Sequence, residues 1–368
     1  MKKEKSITFF LVNLNMGGVQ KTALSFIKQL IRMDIKTVLV VLNGEGLLRK
    51  EVPEQSIFFD LKITRTRWAF FRMWKYLVTE KPNLGISSQT HLNVLMIILK
   101  IFCGYPKYLV VREHITFNKE IFKDKKLIER LRIWMIKWLY PISNRFEVVS
   151  ANVENSIREF AHYQHQIIVL QNGVDFETVH QLKQIPTKLI NPQSNNKKYI
   201  VGIGRFSIQK NFSLLLEAFS LLNDQLDAEL IILGEGTERG NLERLCRDLQ
   251  IAEKVHLPGF IENPFPVLSK ADAFVLSSNW EGFGNVILEA LATGIPIVAT
   301  DCPGGPADIL SGHKFSRIVP MNDPQAMAIA MRELLESEIN KDEILEFSKQ
   351  FDIAKVAVAY EELVEKYG

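Results

Sequence analysis

Two glutamates eight positions apart, Glu281 and Glu289, stand in the run Asn279-Trp280-Glu281-Gly282-Phe283-Gly284-Asn285-Val286-Ile287-Leu288-Glu289. This run follows an apolar stretch and opens a helical pattern. A carboxylate just before such a turn can accept hydrogen bonds from sugar hydroxyls. One placed two turns into the helix can grip a ribose diol. Gly282, Phe283, Gly284 and Asn285 would bring backbone N–H groups and the positive end of a helix dipole to the same place, a setting for an anion. The plainer alternative is a loop–helix junction with two surface glutamates. Arg205 and Lys210 weigh against it. They flank a turn in Gly202-Ile203-Gly204-Arg205-Phe206-Ser207-Ile208-Gln209-Lys210-Asn211, so both cationic heads can converge on one diphosphate, Arg as a fork of donors and Lys as a mobile point charge. Taken alone, the pair reads as solvated surface cations.

Other glycines sit at similar junctions. The Gly202-x-Gly204 pair lacks a third glycine at dinucleotide spacing, which argues against a dehydrogenase. Gly17-Gly18 separates an apolar run from a helical pattern and belongs to no P-loop. It reads either as a tight turn or as a place where backbone closely approaches a phosphate or sugar from an opposite domain.

The elements that must position these residues alternate along the chain. Ile7–Leu14 predicts a strand, and Ala23, Leu24, Ile27, Leu30 and Ile31 predict one face of a helix. Thr37–Leu42, Tyr108–Val111 and Phe146–Ser150 continue the series. After a polar stretch, Asn191–Lys198, it restarts: Tyr199–Gly204, Glu229–Leu233, Val255–Leu257, Ala273–Ser277 and Pro296–Ala299 as strands, with helices at Leu214–Leu222, Asn241–Leu249 and from about Gly284. Alternation of this kind implies an α/β protein with parallel sheets covered on both faces. Two series imply two doubly wound, Rossmann-like domains facing across a cleft, with ligands at the carboxyl ends of the strands. The expected boundaries are 1–172 and 173–352, with a terminal helix of about 353–368 packing back on the first domain.

Composition narrows the function classes. The chain has 368 residues, 47% hydrophobic and 24% charged, as a globular protein of two ordinary domains would. A net charge of +3 without a long basic run argues against a nucleic-acid partner. Cys103, Cys246 and Cys302 are widely spaced, which fits a reducing compartment and neither a disulfide frame nor a zinc site. The apolar start is broken by Asn13 and Asn15, so it reads as a buried strand rather than a signal peptide. The stretch 92–103 is too short to span a bilayer. A cytoplasmic protein is the expectation.

The ordered set of motifs resembles the family-4 group of retaining GT-B glycosyltransferases. Glu281 and Glu289 match that group's paired-glutamate motif, Gly204-Arg205 with Lys210-Asn211 its diphosphate element, and Gly17-Gly18 its N-terminal glycine loop. Asn172-Gly173-Val174-Asp175 matches the interdomain segment, and Gly234-Glu235-Gly236, Gly259-Phe260 and Asn263-Pro264 fit smaller elements of the nucleotide-binding domain. The resemblance implies that Glu281, with the amides of Phe283, Gly284 and Asn285, holds the donor sugar. Glu289 would bind the ribose, Arg205 and Lys210 the diphosphate, and backbone around Phe260 and Ile261 the base. His114 resembles the histidine near the transferred sugar, and His91 competes for that role.

Chemistry follows from these charges. Departure of the diphosphate leaves an oxocarbenium-like sugar, and preorganised cations and amides stabilise the anion. The departing phosphate would itself take the acceptor's proton, with retention of configuration. The sequence carries no Asp-x-Asp triplet, so no metal and no cofactor are expected. The run Asp301-Cys302-Pro303-Gly304-Gly305-Pro306 further resembles enzymes of capsule, O-antigen and lipid-linked repeat-unit synthesis, which implies a UDP-hexose or UDP-N-acetylhexosamine donor. Two basic aromatic stretches point to an acceptor on a lipid. One is 62–75, with Lys62, Arg65, Arg67, Arg72 and Lys75 among Trp68, Phe70, Phe71 and Trp74. The other is 127–139, which places Leu127, Ile128, Leu131, Trp134, Met135, Trp138 and Leu139 on one helical face. Such segments lie in anionic interfaces, so a peripheral position at the inner membrane is expected; a core-facing helix is the alternative for 127–139. The rival functions are a nucleotide-sugar 2-epimerase, a non-catalytic scaffold of the same fold, and an inverting transferase.

Overall fold

Short apolar runs punctuated by glycine turns build thirteen strands and fourteen helices among the described residues of a computed structural model, which are 5–63, 68–114, 116, 126–190, 197–223 and 226–368. In chain order they are β1 (Ser6–Asn13), α1 (Gly18–Arg32), β2 (Lys36–Asn43), β3 (Ile57–Asp60), α2 (Ala69–Glu80), β4 (Leu84–Ser88), α3 (Thr90–Cys103), β5 (Tyr108–Glu113), α4 (Lys126–Leu139), β6 (Arg145–Val148), α5 (Ala151–Ala161) and β7 (Ile168–Val169). There follow α6 (Phe176–Leu182), β8 (Lys198–Ile203), α7 (Phe212–Asn223), β9 (Ala228–Leu233), α8 (Arg239–Asp248), β10 (Val255–Gly259) and α9 (Phe265–Leu268). The chain closes with β11 (Ala273–Leu276), α10 (Asn285–Leu291), β12 (Ile297–Thr300), α11 (Pro306–Leu310), β13 (Ser316–Val319), α12 (Pro324–Glu336), α13 (Lys341–Ser348) and α14 (Ile353–Tyr367). Arg65, Arg67, most of the polar stretch before β8 and the side chain of Ile128 lie outside the described residues.

Two units result, one of Met1–Gly173 with Ile353–Gly368 and one of Val174–Asp352. The first holds a seven-stranded sheet ordered β3-β2-β1-β4-β5-β6-β7, the second a six-stranded sheet ordered β10-β9-β8-β11-β12-β13. Their ladders are parallel, so helices must cover both faces and the strands read as apolar runs. The α/β class with two doubly wound sheets is therefore the observed one. In each order the chain first builds outward on one side and then restarts on the other. That switch falls between β1 and β4 in the first unit and between β8 and β11 in the second, and such a switch opens a crevice at the carboxyl ends of the strands.

Several strands escape a reading by apolar runs. The central strand β4 is Leu-Gly-Ile-Ser-Ser, buried throughout although it looks like a turn. Gly85 is needed there because a Cβ would come 2.4 Å from Pro106 and 2.8 Å from Phe10. Two residues suffice for β7, and β3 and β13 have four each.

A buried charge cluster ties the first unit together. Arg112, in β5, is fully buried. Its Nη1 donates to Glu147 Oε2 at 3.2 Å and to the Tyr360 hydroxyl at 2.8 Å, and Tyr360 donates to the same Glu147 oxygen at 2.8 Å. Its Nη2 donates to the Leu170 carbonyl at 2.8 Å and to Asn172 Oδ1 at 2.9 Å. One guanidinium thus holds β6, α14 and the chain segment ending at Gly173. Gly173 itself lies against Ile353, where a Cβ would stand 2.7 Å from that residue's Cα. Tyr360 completes the anchor by packing edge-on against Phe26 at 4.7 Å. Arg112→Met is expected to cost about 3 kcal/mol, because Tyr360 and Glu147 lose a buried partner while Glu147 keeps Arg145 at 2.7 Å. Urea unfolding followed by tryptophan fluorescence reads it, since four of the five tryptophans lie in this unit; a loss under about 1 kcal/mol would remove the cluster as an anchor.

Candidate functional site

The ends of β8 and β11 flank the switch point of the second unit, and the paired glutamates and the paired cations arise there. After β8 the chain turns through Gly204, Arg205 and Phe206 to Lys210. The Gly204 amide donates to the Leu233 carbonyl at 3.0 Å and the Phe206 amide to the Glu235 carbonyl at 2.9 Å, locking the turn to the end of β9. Gly234, at φ +154°, allows this contact: a Cβ there would fall 1.8 Å from the Gly204 carbonyl oxygen. Phe206 is fully buried, so the turn hangs from the core. The Lys210 stem lies over Gly204, where a Cβ would press on it at 3.0 Å.

Lys210 Nζ donates to Glu281 Oε1 at 2.5 Å, and Ser278 Oγ donates to the same oxygen at 2.7 Å. Glu281 is buried and Lys210 half-buried. The loop carrying Glu281 is further tied to the β8 turn by Gln209 Nε2 to the Trp280 carbonyl at 3.0 Å, Asn279 Nδ2 to the Ile208 carbonyl at 2.8 Å and Asn211 Nδ2 to Asn279 Oδ1 at 3.1 Å. Its floor is the turn after β12. The Glu281 amide donates to the Pro303 carbonyl at 2.8 Å. A Cβ on Gly304, at φ +131°, would meet the Glu281 carbonyl oxygen at 2.3 Å, and one on Gly305 the Phe283 carbonyl oxygen at 2.5 Å. Ser278, Gln209, Asn279 and this diglycine floor are the positioning groups that sequence reasoning did not assign. The diglycine after a strand was the available signal.

The remaining expected residues take different places. Arg205 is exposed, and its guanidinium forms no ion pair among the described residues. Gly282 is half-buried and Phe283 buried, so Phe283 offers its backbone while its ring fills the core. Gly284, at φ +88°, caps α10, which is only seven residues long. Asn285 and Glu289 are half-buried on it. Glu235 accepts from Arg239 Nη1 at 2.5 Å, and Arg239 is pinned by Leu257 through its Nη2 at 2.8 Å. Phe260 is exposed and Ile261 half-buried at the end of β10. Cys302 is buried, and burial first, then the Glu281 charge, push its thiol up to about 12. It remains a thiol at neutral pH and is no nucleophile.

Gly17, Gly18, His91 and His114 belong to the seven-stranded unit. Gly17 caps α1 in an extended conformation, and a Cβ there would meet only the end of the Gln20 side chain. Steric demand at this turn falls instead on Gly46, at φ +139°, where a Cβ would lie 2.2 Å from the Leu14 carbonyl oxygen. Topology sets His91, at the start of α3 after β4, across the switch point from Gly17-Gly18; His114 follows β5, one strand further out. Between the histidines lies Glu113, fully buried, accepting from Thr90 at 3.0 Å, Asn93 at 3.1 Å and Tyr140. Burial, and then the Arg112 charge, hold the His114 imidazole well below its usual range, and its Nε2 is buried without a hydrogen-bond partner among the described residues. Desolvation also lowers His91, partly offset by Glu113.

Two family models match the chain: "Glycosyltransferase Family 4" over residues 16–178 and "Glycosyl transferases group 1" over residues 187–351. The chain belongs to the family-4 GT-B glycosyltransferases. Among curated relatives, this glycosyltransferase is 26% identical over 371 residues to the N-acetylgalactosamine-N,N'-diacetylbacillosaminyl-diphospho-undecaprenol 4-alpha-N-acetylgalactosaminyltransferase of Campylobacter jejuni, covering 96% of this chain and 97% of that one. It is 24% identical over 372 residues to a second transferase of that organism, an alpha-1,4-N-acetyl-D-galactosaminyltransferase acting on a GalNAc-containing diNAcBac-PP-undecaprenol, with coverage of 97% and 98%. The crystal structure of Anabaena HepE in complex with UDP superposes with a TM-score of 0.77 at 16% identity, over 98% of this chain and all of that one. That likeness is one of fold.

Two outcomes follow from the geometry. Lys210→Met should leave the buried Glu281 without its ammonium partner and cost about 3 kcal/mol of stability in the second unit; an unchanged unfolding midpoint would show that the pair is not holding the loops. The second concerns pH. The folded pKa of His114 lies below its unfolded value of about 6.5, so the unfolded chain takes up the proton first and stability falls as pH drops below about 6.5. His114→Gln should therefore lessen the acid-side slope of stability by at most about 1.4 kcal/mol per pH unit. An unaltered slope in a urea–pH series would contradict the burial of that ring.

Proposed function

We propose that this glycosyltransferase moves a sugar from a uridine diphosphate donor, a hexose or N-acetylhexosamine conjugate, to a lipid-linked saccharide, with retention of configuration and without a metal. The observation that carries the reading is the Glu281 carboxylate, fixed by Lys210 and Ser278 at the switch point with Arg205 exposed on the same turn. A carboxylate held by two donors is preorganised to accept from sugar hydroxyls, and holding it costs nothing at the moment of reaction. Arg205 and the Lys210 ammonium supply the positive charge that a departing diphosphate needs. Losing one such donor typically costs about 3–4 kcal/mol of transition-state stabilisation. Glu289 on α10 grips the ribose, and the backbone at Phe260 and Ile261 meets the base.

The phosphate oxygen that leaves the sugar is basic enough to accept the proton of the attacking hydroxyl on the same face, so this reading assigns no general base to the protein. His114, kept neutral by burial, acts as a hydrogen-bonding group toward the sugar. The two Campylobacter jejuni relatives are named for acceptors on undecaprenol diphosphate, and HepE was solved with UDP; these support the donor and acceptor classes. The pathway is surface-polysaccharide assembly at the cytoplasmic face of the membrane.

A thermal-shift panel of nucleotides and nucleotide sugars in EDTA tests the donor and the metal together, since a ligand of the folded state must raise apparent stability. Stabilisation by UDP and one or two of its sugars is expected. Guanosine or adenosine conjugates acting instead, or a shift only after divalent metal is restored, would overturn the donor or the metal-free reading. Proton NMR of the product's anomeric centre separates retention from inversion.

A further inference from the structure

We propose that the outer surface of α2, α3 and α4 seats the chain on an anionic lipid surface, through two apolar footholds ringed by cations. This rests on the proposed lipid-linked acceptor for its purpose, and on the first unit's surface for its content. The helices form one layer, α2 against α3 and α3 against α4. In the first foothold the Phe70 ring stands edge-on to Phe71 at 5.4 Å and to Phe102, from the end of α3, at 6.0 Å. Phe71 and Phe102 are 74% and 71% exposed, with Trp68 and Trp74 beside them also exposed. Ala69, Met73, Tyr76 and Leu77 supply the core face of α2, and Phe71 and Trp74 lie outside it.

The second foothold is the outer part of the face expected for α4. Ile136 is buried, as is Tyr140 just beyond the helix, whereas Leu127, Leu131, Trp134 and Trp138 stand exposed at spacings of four, three and four. That is a helical stripe turned to solvent, which soluble monomers rarely carry.

Charge selects the occupant. Over the whole chain Lys and Arg number 45 against 42 acids. In the three segments that carry the footholds, 62–75, 90–107 and 127–146, there are eleven Lys or Arg and one acid, Glu129. Arg72, Lys75, Arg130 and Lys137 are exposed among them. A second copy docking on this face would set like charge against like, whereas anionic headgroups neutralise it. Tryptophan rings prefer the headgroup boundary, apolar body inward and N–H outward. Among the described residues no helix is long and apolar enough to cross a membrane, so the attachment is interfacial. Two weak footholds on one rigid unit bind together far more tightly than either alone.

Co-sedimentation with vesicles of phosphatidylglycerol and phosphatidylcholine, and of phosphatidylcholine alone, tests this on the full chain. The variants are Phe71→Ser with Phe102→Ser, Trp134→Ser with Trp138→Ser, and Lys75→Glu with Lys137→Glu. Each apolar pair should lower partitioning about tenfold or more, and the charge pair should erase the preference for phosphatidylglycerol. Thermal midpoints should hold, because every changed side chain is exposed. Wild-type protein that stays in the supernatant, or variants that sediment like it, would overturn the proposal. So would a dimer in light scattering that the same variants dissolve, since the face would then belong to a second copy. UDP binding by these variants should be unchanged. Vesicle binding without UDP binding would sink the proposed donor while leaving the surface intact, and the converse would sink the surface alone.

Discussion

One carboxylate oxygen, Oε1 of Glu281, accepts from both Lys210 and Ser278, and the site of the second unit is arranged around that junction. The lysine comes from the turn after β8, the serine and the glutamate from the turn after β11, so the ion pair closes the seam where the sheet order reverses. Removing the lysine would leave a buried carboxylate without its counter-charge. The two loops therefore keep one register, fixed further by Gln209 and Asn279 bonds to backbone carbonyls. Beneath them, Gly304 and Gly305 allow the turn after β12 to touch the Glu281–Phe283 backbone, an approach any side chain would block.

The seven-stranded unit uses buried charge in a different way. Arg112 gathers β6, α14 and the segment ending at Gly173 around one guanidinium, which serves architecture rather than chemistry. One residue further along β5, Glu113 turns to Thr90, Asn93 and Tyr140. Adjacent residues of a strand face opposite ways, so β5 separates a structural network on one face from a polar floor at the sheet's carboxyl end on the other. The outer helices carry the unit's basic and aromatic surface, leaving the chain polarised although its net charge is only +3.

Much of this was legible in the residues. Glu281, Arg205 and Lys210 could be singled out because each follows an apolar strand at a spacing that a turn must bring to the sheet edge, and Glu289 because it lies in the helix that this turn opens. The direct bond between Lys210 and Glu281 was not legible, because two cations flanking a turn give no hint that one folds back on a carboxylate. Strand β4 hid because two serines and a glycine carry weak apolar signal, although burial on both faces makes it a central strand. The periodicity of α4 was visible, but a stripe of Leu and Trp reads the same whether it faces a core or a lipid. Ile136, buried on the opposite side, shows that the stripe faces away from the core. Arg112 looked like any charged residue near a strand end, since a count of charges does not reveal which are buried.

We propose that the nucleotide diphosphate and the sugar are held by different groups at the β8–β11 seam, with Glu281 reserved for the sugar. Calorimetric titration of Glu281→Gln with UDP and with the preferred UDP-sugar separates the two. UDP affinity close to wild type is expected, because the amide oxygen still accepts from Lys210, together with loss of the sugar's added affinity and of transfer. Unaltered affinity for the UDP-sugar and unaltered turnover would contradict it.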